Sequence, residues 1–196
     1  MFPFPVYAAQ FEVYPQSGEA FESLSPLLNA LTRVDFGLSV ANPSVNQGQM
    51  ASDFDLRLEE ALCDHGAVAS TFRPPPSVPQ ELDFAITFAG STVAVEIEKA
   101  NREKILRDFL KCHMYLQVGA DLALVVLPRN YPHTTSVWDL FSFGVQRLAE
   151  CRTFGFGTPD KLDRILLLGF VQYDSRTDER LSVSTRVRMR SEASNR

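Results

Sequence analysis

Three acids occupy positions where a strand is ordinarily apolar: Asp83 in LDFAITF, and Glu96 and Glu98 in VAVEIEK. Strand alternation puts Ala94, Glu96 and Glu98 on one face and Val93, Val95 and Ile97 on the other, so the two glutamates project the same way. The turn at Ala89-Gly90-Ser91 folds the Asp83 strand back as a hairpin, bringing the third acid onto the same pair of strands. Three carboxylates gathered in one pocket repel each other, and a cation, protons or both must neutralise them. The alternative for Glu96 and Glu98 is a solvated strand face. Against it, the opposite face is already apolar and a helix follows that needs a sheet face to pack on. Glutamate is also a poor strand former.

The elements that must position these acids run from Glu81 to Pro128 and read as strand, turn, strand, helix, strand. The helix spans Asn101 to about Val118, capped by Asn101 and stopped by Gly119. Ile105, Phe109, Cys112 and Leu116 form its core stripe, and Lys104, Arg107 and Lys111 line a basic side open to either a binding or a solvated role. Leu122 to Leu127 is uninterrupted and apolar, as expected of a strand covered on both faces. Upstream, Ser52 reads as the N-cap of SDFDLRLEEALCDHG and Gly66 as its stop, with a short strand at 67–72 and a stiff polyproline-like connection at 73–80. The core order is therefore helix, strand, strand, strand, helix, strand.

Outside that core the reading is coarser. Residues 1–20, with Phe2, Phe4, Tyr7, Phe11 and Tyr14, suggest an arm or edge segment. Residues 20–36 suggest a helix with Leu24, Leu27, Leu28 and Leu31 on one side. Residues 37–51 have loop composition and read either as a plain connection or as a base-contacting loop. A third helix is expected from about Ser136 to Cys151. Two strands, 164–173 and 180–189, then read as a C-terminal hairpin around 174–179. In its last strand Arg186, Arg188 and Arg190 alternate with Val187 and Met189, which makes either a phosphate-reaching stripe or a charged, guarded edge. Residues 191–196 are expected to be a disordered tail.

The chain has 196 residues, 45% hydrophobic and 22% charged, which suits a single domain over 1–190 and an ordinary globular balance. No apolar run reaches membrane-span length, and MFPFPVYAAQ lacks the pattern of a signal peptide, so a cytoplasmic location without membrane attachment is expected. Cys63, Cys112 and Cys151 are widely spaced and expected to be reduced thiols. Neither they nor His65, His113 and His133 form a zinc pattern. The net charge of −5 argues mildly against nucleic-acid binding, although basic groups clustered on one face count for more than the sum.

Asp83, followed by Glu96-Ile97-Glu98 and then EIEKANREKILRDFLK, resembles the PD-(D/E)XK nuclease superfamily, and within it the BamHI- and BglII-like type II restriction endonucleases. The resemblance covers roughly residues 50 to 128. It departs from the common pattern at Lys99, which follows Glu98 directly; Glu98 itself stands where the superfamily's lysine usually lies, as in the BamHI-like branch. The resemblance implies an α/β fold with an αβββαβ core, its mixed central sheet flanked by helices, here with the C-terminal β-hairpin added. It implies a Mg²⁺-dependent endonuclease that cuts double-stranded DNA as a homodimer and uses no nucleotide cofactor. Asp83 and Glu96 would ligate the metal with the Ile97 carbonyl, and Glu98 would complete the site or activate water. An acid of the first core helix often joins such sites, and Asp53, Glu59 and Glu60 are the candidates. Lys99, Lys104, Arg186, Arg188 and Arg190 are the expected DNA contacts. A non-catalytic DNA- or partner-binding module on the same fold, and a repair or resolvase-type nuclease, remain the alternatives.

Overall fold

Leu122, Leu124 and Val126 pack into one hydrophobic cluster and Ala123, Val125 and Leu127 into another, so strand β7 (Leu122–Pro128) is covered on both faces. The computed structural model describes residues 4–40, 50–76 and 81–194. Around β7 the chain builds one mixed eight-stranded sheet flanked by helices. In chain order come β1 (Phe4–Tyr14), α1 (Glu19–Ala30), β2 (Arg33–Val40), β3 (Met50–Ser52), α2 (Phe54–Asp64), β4 (Val68–Ala69), β5 (Phe84–Phe88), β6 (Ser91–Ile97) and α3 (Lys104–Gln117). After β7 follow β8 (Tyr131–Pro132), β9 (Val137–Trp138), α4 (Leu140–Thr153), α5 (Pro159–Leu162), β10 (Ile165–Asp174) and α6 (Val183–Ser194).

The sheet order is β3-β2-β1-β10-β7-β6-β5-β4, with β8 and β9 forming a separate ribbon. Strands β6, β7 and β10 run parallel; the remaining pairs are antiparallel. Helices α1 and α2 pack on one face through Leu24, Leu27, Leu28, Phe54, Leu58 and Leu62. Helices α3 and α4 cover the other through Ile105, Phe109, Leu116, Leu140 and Leu148. Helix α4 lies close to the sheet: a Cβ on Gly169 of β10 would come within 2.6 Å of the Phe141 ring. The expected helix, strand, strand, strand, helix, strand order is present as α2, β4, β5, β6, α3 and β7.

Several expectations outside the core need correction. The N-terminal segment is no arm: β1 lies inside the sheet between β2 and β10, with Phe4, Val6 and Ala8 buried in alternation. The helix expected over 20–36 ends at Ala30, because Leu31 turns extended and Val34, Phe36 and Leu38 then alternate into the core as β2. The expected 37–51 loop begins as the end of β2, and its residues 41–49 lie outside the described residues. So do Phe2 and residues 77–80 of the proline-rich connection. Ser52 belongs to β3, and the residue capping α2 is Asp53. The first core strand is only two residues long.

The C-terminal β-hairpin is also incorrect. Residues 183–194 form α6, so residues 191–194 are helical instead of a disordered tail. Ser182 Oγ accepts the Thr185 N–H, and Thr185, Arg186 and Met189 are buried at helical spacing. Asp174 binds Arg176 and Arg188 together, which fastens α6 to the end of β10. Only the isolated bridge Tyr173↔Arg180 survives of the expected strand pairing.

Candidate functional site

Ala89 and Gly90 both adopt positive φ, 49° and 85°, and close the β5–β6 hairpin tightly. The register pairs Phe84 with Val95, which sets Asp83 across from Glu96 at the open end. Asp83 Oδ2 accepts the Ile97 N–H at 2.7 Å, so the aspartate is tied to the strand that carries the glutamates. Val93, Val95 and Ile97 face the α1/α2 core while Ala94 faces the α3/α4 core, as alternation requires. Glu96 and Glu98 therefore point to the α3 side. They are 2% and 7% exposed, which excludes a solvated strand face.

Helix α3 completes the cluster. At spacings of three and four residues beside its apolar stripe it presents Asp108, Lys111 and Tyr115. Lys111 Nζ donates to Glu96 Oε2, and the Tyr115 hydroxyl lies 3.0 Å from Glu96 Oε1. Glu98 Oε1 accepts the N–H groups of Ala100 and Asn101, at 2.8 and 2.9 Å. Asp83, Glu96, Glu98, Asp108 and Lys111 line one open cavity of about 510 Å³, with Lys99, Lys104 and Arg107 on its walls.

Four carboxylates share this cavity with one buried ammonium, that of Lys111. Burial pushes the Glu96 carboxyl up to about 7; Lys111 opposes the rise and the Asp83 charge adds to it. Burial also raises Asp108 to about 6, helped by the neighbouring Glu98 charge. Asp83 is raised by burial against the pull of the Ile97 N–H.

A divalent cation fits the chemistry of this donor set. Magnesium is commonly held by one or two carboxylates while keeping several waters, and Asp83, Glu96 and the Ile97 carbonyl are hard oxygen donors at one end of the hairpin. Among the described residues, no group of three or more His, Cys, Asp or Glu side chains is placed to hold a metal ion together.

The first-helix acids singled out in the sequence do not join the cluster. Asp53 accepts the Gly37 N–H and pairs with Arg57, and Glu60 pairs with the same arginine. The α2 acid on the site's side is Asp55, paired with Lys99, and its charge adds to the rise at Asp83. Lys99 thus bridges α2 to the cavity wall, and Lys104 is exposed on the rim. The three C-terminal arginines form no strand-face stripe. On α6, Arg186 and Arg190 share a side four residues apart, while Arg188 turns away to Asp174 and Glu179. Arg186 is 5% exposed and donates to the Pro132 carbonyl.

Asp108 and Tyr115 are not singled out by the sequence pattern, and Lys111 stands in it with Lys104 and Arg107 on a basic side open to either a binding or a solvated role. The available signal was their i, i+3, i+7 spacing along the border of the stripe that must pack on the glutamate-bearing face.

No protein-family model matches the chain. No curated protein matches it either. Three chains among solved structures do. One is the crystal structure of restriction endonuclease BglII complexed with a DNA 16-mer, 13% identical, with a TM-score of 0.49 over 82% of this chain and 76% of that one.

Proposed function

We propose that this protein is a magnesium-dependent endonuclease of duplex DNA, of the type II restriction class and acting as a homodimer. The observation that carries the reading is the cluster itself: Glu96, Glu98 and Asp108 buried beside Lys111 in an open cavity, with the exposed Asp83 lining it and accepting the Ile97 N–H. An excess of buried carboxylates is costly unless a cation is to be bound there, so the arrangement signals a site and not a support for the fold.

Asp83, Glu96 and the Ile97 carbonyl would hold the ion. When bound, magnesium supplies positive charge against the reacting phosphate and a water of lowered pKa. Glu98 has Oε1 fixed by two backbone N–H groups, which leaves Oε2 to orient the attacking water and accept its proton. Lys111 holds one oxygen of Glu96 and Tyr115 the other, so the carboxylate keeps one orientation as the phosphate arrives. Lys111 also places an ammonium where negative charge builds on the phosphate. Cleavage of both strands of a short palindrome requires two such sites related by a two-fold axis, hence the dimer.

A non-catalytic DNA-binding module is the second reading. It is favoured by the full engagement of Glu96 with Lys111 and Tyr115, which neutralises that carboxylate without any ion. Incubation of the purified protein with supercoiled plasmid, with magnesium or with EDTA, tests the proposal. Discrete fragments appearing only with magnesium, and lost in Asp83→Asn and Glu96→Gln, are the expected result. Smearing or a preference for branched substrates indicates a repair or resolvase-type nuclease. Retention of DNA without cutting leaves the binding module standing.

A further inference from the structure

On the far side of the α3 N-terminal turn from the acidic cavity lies a second open groove, of about 600 Å³, walled by Asn101, Arg102, Glu103, Leu106, Trp138 and Phe143, with Arg147 at its edge. The two depressions share the 99–107 segment as a common wall. Across the groove runs a row of planar groups. His133 stacks on Trp138 with centroids 3.8 Å apart. The Arg102 guanidinium lies 5.7 Å from the Trp138 ring and 4.4 Å from the Phe143 ring, and Arg147 covers Phe143 at 4.7 Å.

Arg147 is paired with Glu150, whereas among the described residues no carboxylate pairs with Arg102. Glu103 is the one acid among the described groove residues. A guanidinium lying on aromatic rings is held rigid, with its N–H edges left for an acceptor in its plane. The same turn continues into Lys104 and Arg107, exposed on the rim of the acidic cavity.

We propose that Arg102, laid on Phe143 and Trp138, is a backbone-phosphate contact for DNA, and that Arg102, Lys104 and Arg107 form a positive rail leading the strand to the acidic cavity. The inference rests on the nuclease reading and adds the path the substrate takes. It explains how a chain of net charge −5 can hold a polyanion: the cations that matter stand on one turn beside the site. Such a contact positions the duplex without reading its sequence.

The test is equilibrium binding of a fluorescent 30-base-pair duplex to the full chain, over a series of salt concentrations, in EDTA so that nothing is cut. Arg102→Ala is expected to weaken binding about tenfold at 0.1 M salt, equally for unrelated sequences, and to lower the salt slope by about 1. Arg102→Lys should keep the slope and lose part of the affinity. Phe143→Leu, which removes the bed and leaves the charge, should lose affinity several-fold at unchanged slope. An Arg102→Ala isotherm and slope matching the wild type overturns the rail, and the nuclease reading then stands or falls by the plasmid assay alone. Failure of the wild type to bind any duplex overturns both. Conversion of a dimer to a monomer by Arg102→Ala without DNA, seen by sedimentation, assigns the groove to a second copy of the chain and overturns the proposal.

Discussion

Two buried charge clusters in this protein invite comparison, because burial treats them oppositely. At the end of β10, Asp174 is fully buried, yet Arg176 and Arg188 both pair with it and the Arg176 N–H donates to it. Those hydrogen bonds hold its carboxyl below the usual range. Beside the end of β6, Glu96, Asp83 and Asp108 all lie above the usual range, raised first by burial and then by neighbouring carboxylates, which Lys111 only partly offsets. The first cluster balances its charge internally and fastens α6 to the sheet. The second buries three carboxylates, Glu96, Glu98 and Asp108, with the one buried ammonium of Lys111 beside an open cavity, a condition that a fold tolerates where a cation or substrate supplies the balance.

The comparison breaks most sharply on paired substitutions. Asp83→Asn should lower single-turnover plasmid cleavage by at least about 10³-fold, roughly 4 kcal/mol of barrier, while the melting temperature holds or rises. Asp83 is exposed and an amide oxygen there can still accept the Ile97 N–H, so the fold loses little. Asp174→Ala should do the reverse. It strands two arginines, and about 2–3 kcal/mol of stability should be lost, with cleavage per folded molecule unchanged. Urea denaturation and single-turnover kinetics on both variants check this. If both lose stability and neither loses rate selectively, the distinction between the clusters is wrong.

The half of the contrast visible in the sequence was the strand half. Glu96 and Glu98 stood out because alternation over seven residues leaves no ambiguity about which side chains share a face. Gly90 marked the turn that returns Asp83 to them. The helical half was obscured because a charged residue at the border of an amphipathic stripe has the same pattern whether it meets water or a buried partner. Lys111 becomes a counter-ion only once α3 is docked over Glu96. Asp53 and Glu60 looked equally placed for the site, and their partner Arg57, one turn away, holds both at the surface. In the C-terminal segment, Arg-Val-Arg-Met-Arg alternates as a strand does. Asp174, distant in sequence, draws Arg188 into a helix-compatible contact that local pattern does not register. The β1 strand was similarly hidden, because Pro5 and the irregular register between Ala9 and Glu12 interrupt its period.

The raised carboxyls sharpen the comparison through pH. A carboxyl with a folded-state pKa above its unfolded value binds protons more tightly when folded, so stability falls as pH rises between the two values. For Asp108 that window runs from about 4 to about 6. Metal-free protein should therefore lose urea stability across it. Asp108→Asn should remove on the order of 2 kcal/mol of that dependence. Asp174 predicts the opposite sign: its contribution is present above the unfolded pKa and lost as pH falls through the depressed folded value. A stability profile that is flat over pH 4–6 in the wild type and unaltered in Asp108→Asn contradicts the excess-charge account.

The smallest expected effect concerns Tyr115. Its single hydroxyl proton lies between Glu96 Oε1 at 3.0 Å and the Glu81 carbonyl at 3.2 Å, and the ionised carboxylate is the stronger acceptor. Tyr115→Phe removes a donor that favours the charged form of Glu96, so the Glu96 proton should be held more tightly still. The cost in stability should be about 1 kcal/mol. The acid limb of the cleavage-rate profile should move to higher pH while the alkaline plateau keeps its height, since Lys111 continues to hold the other oxygen. A uniform drop at every pH would mean that Tyr115 only packs. A limb that stays in place would mean that the hydroxyl serves Glu81, with Lys111 alone setting the charge on Glu96.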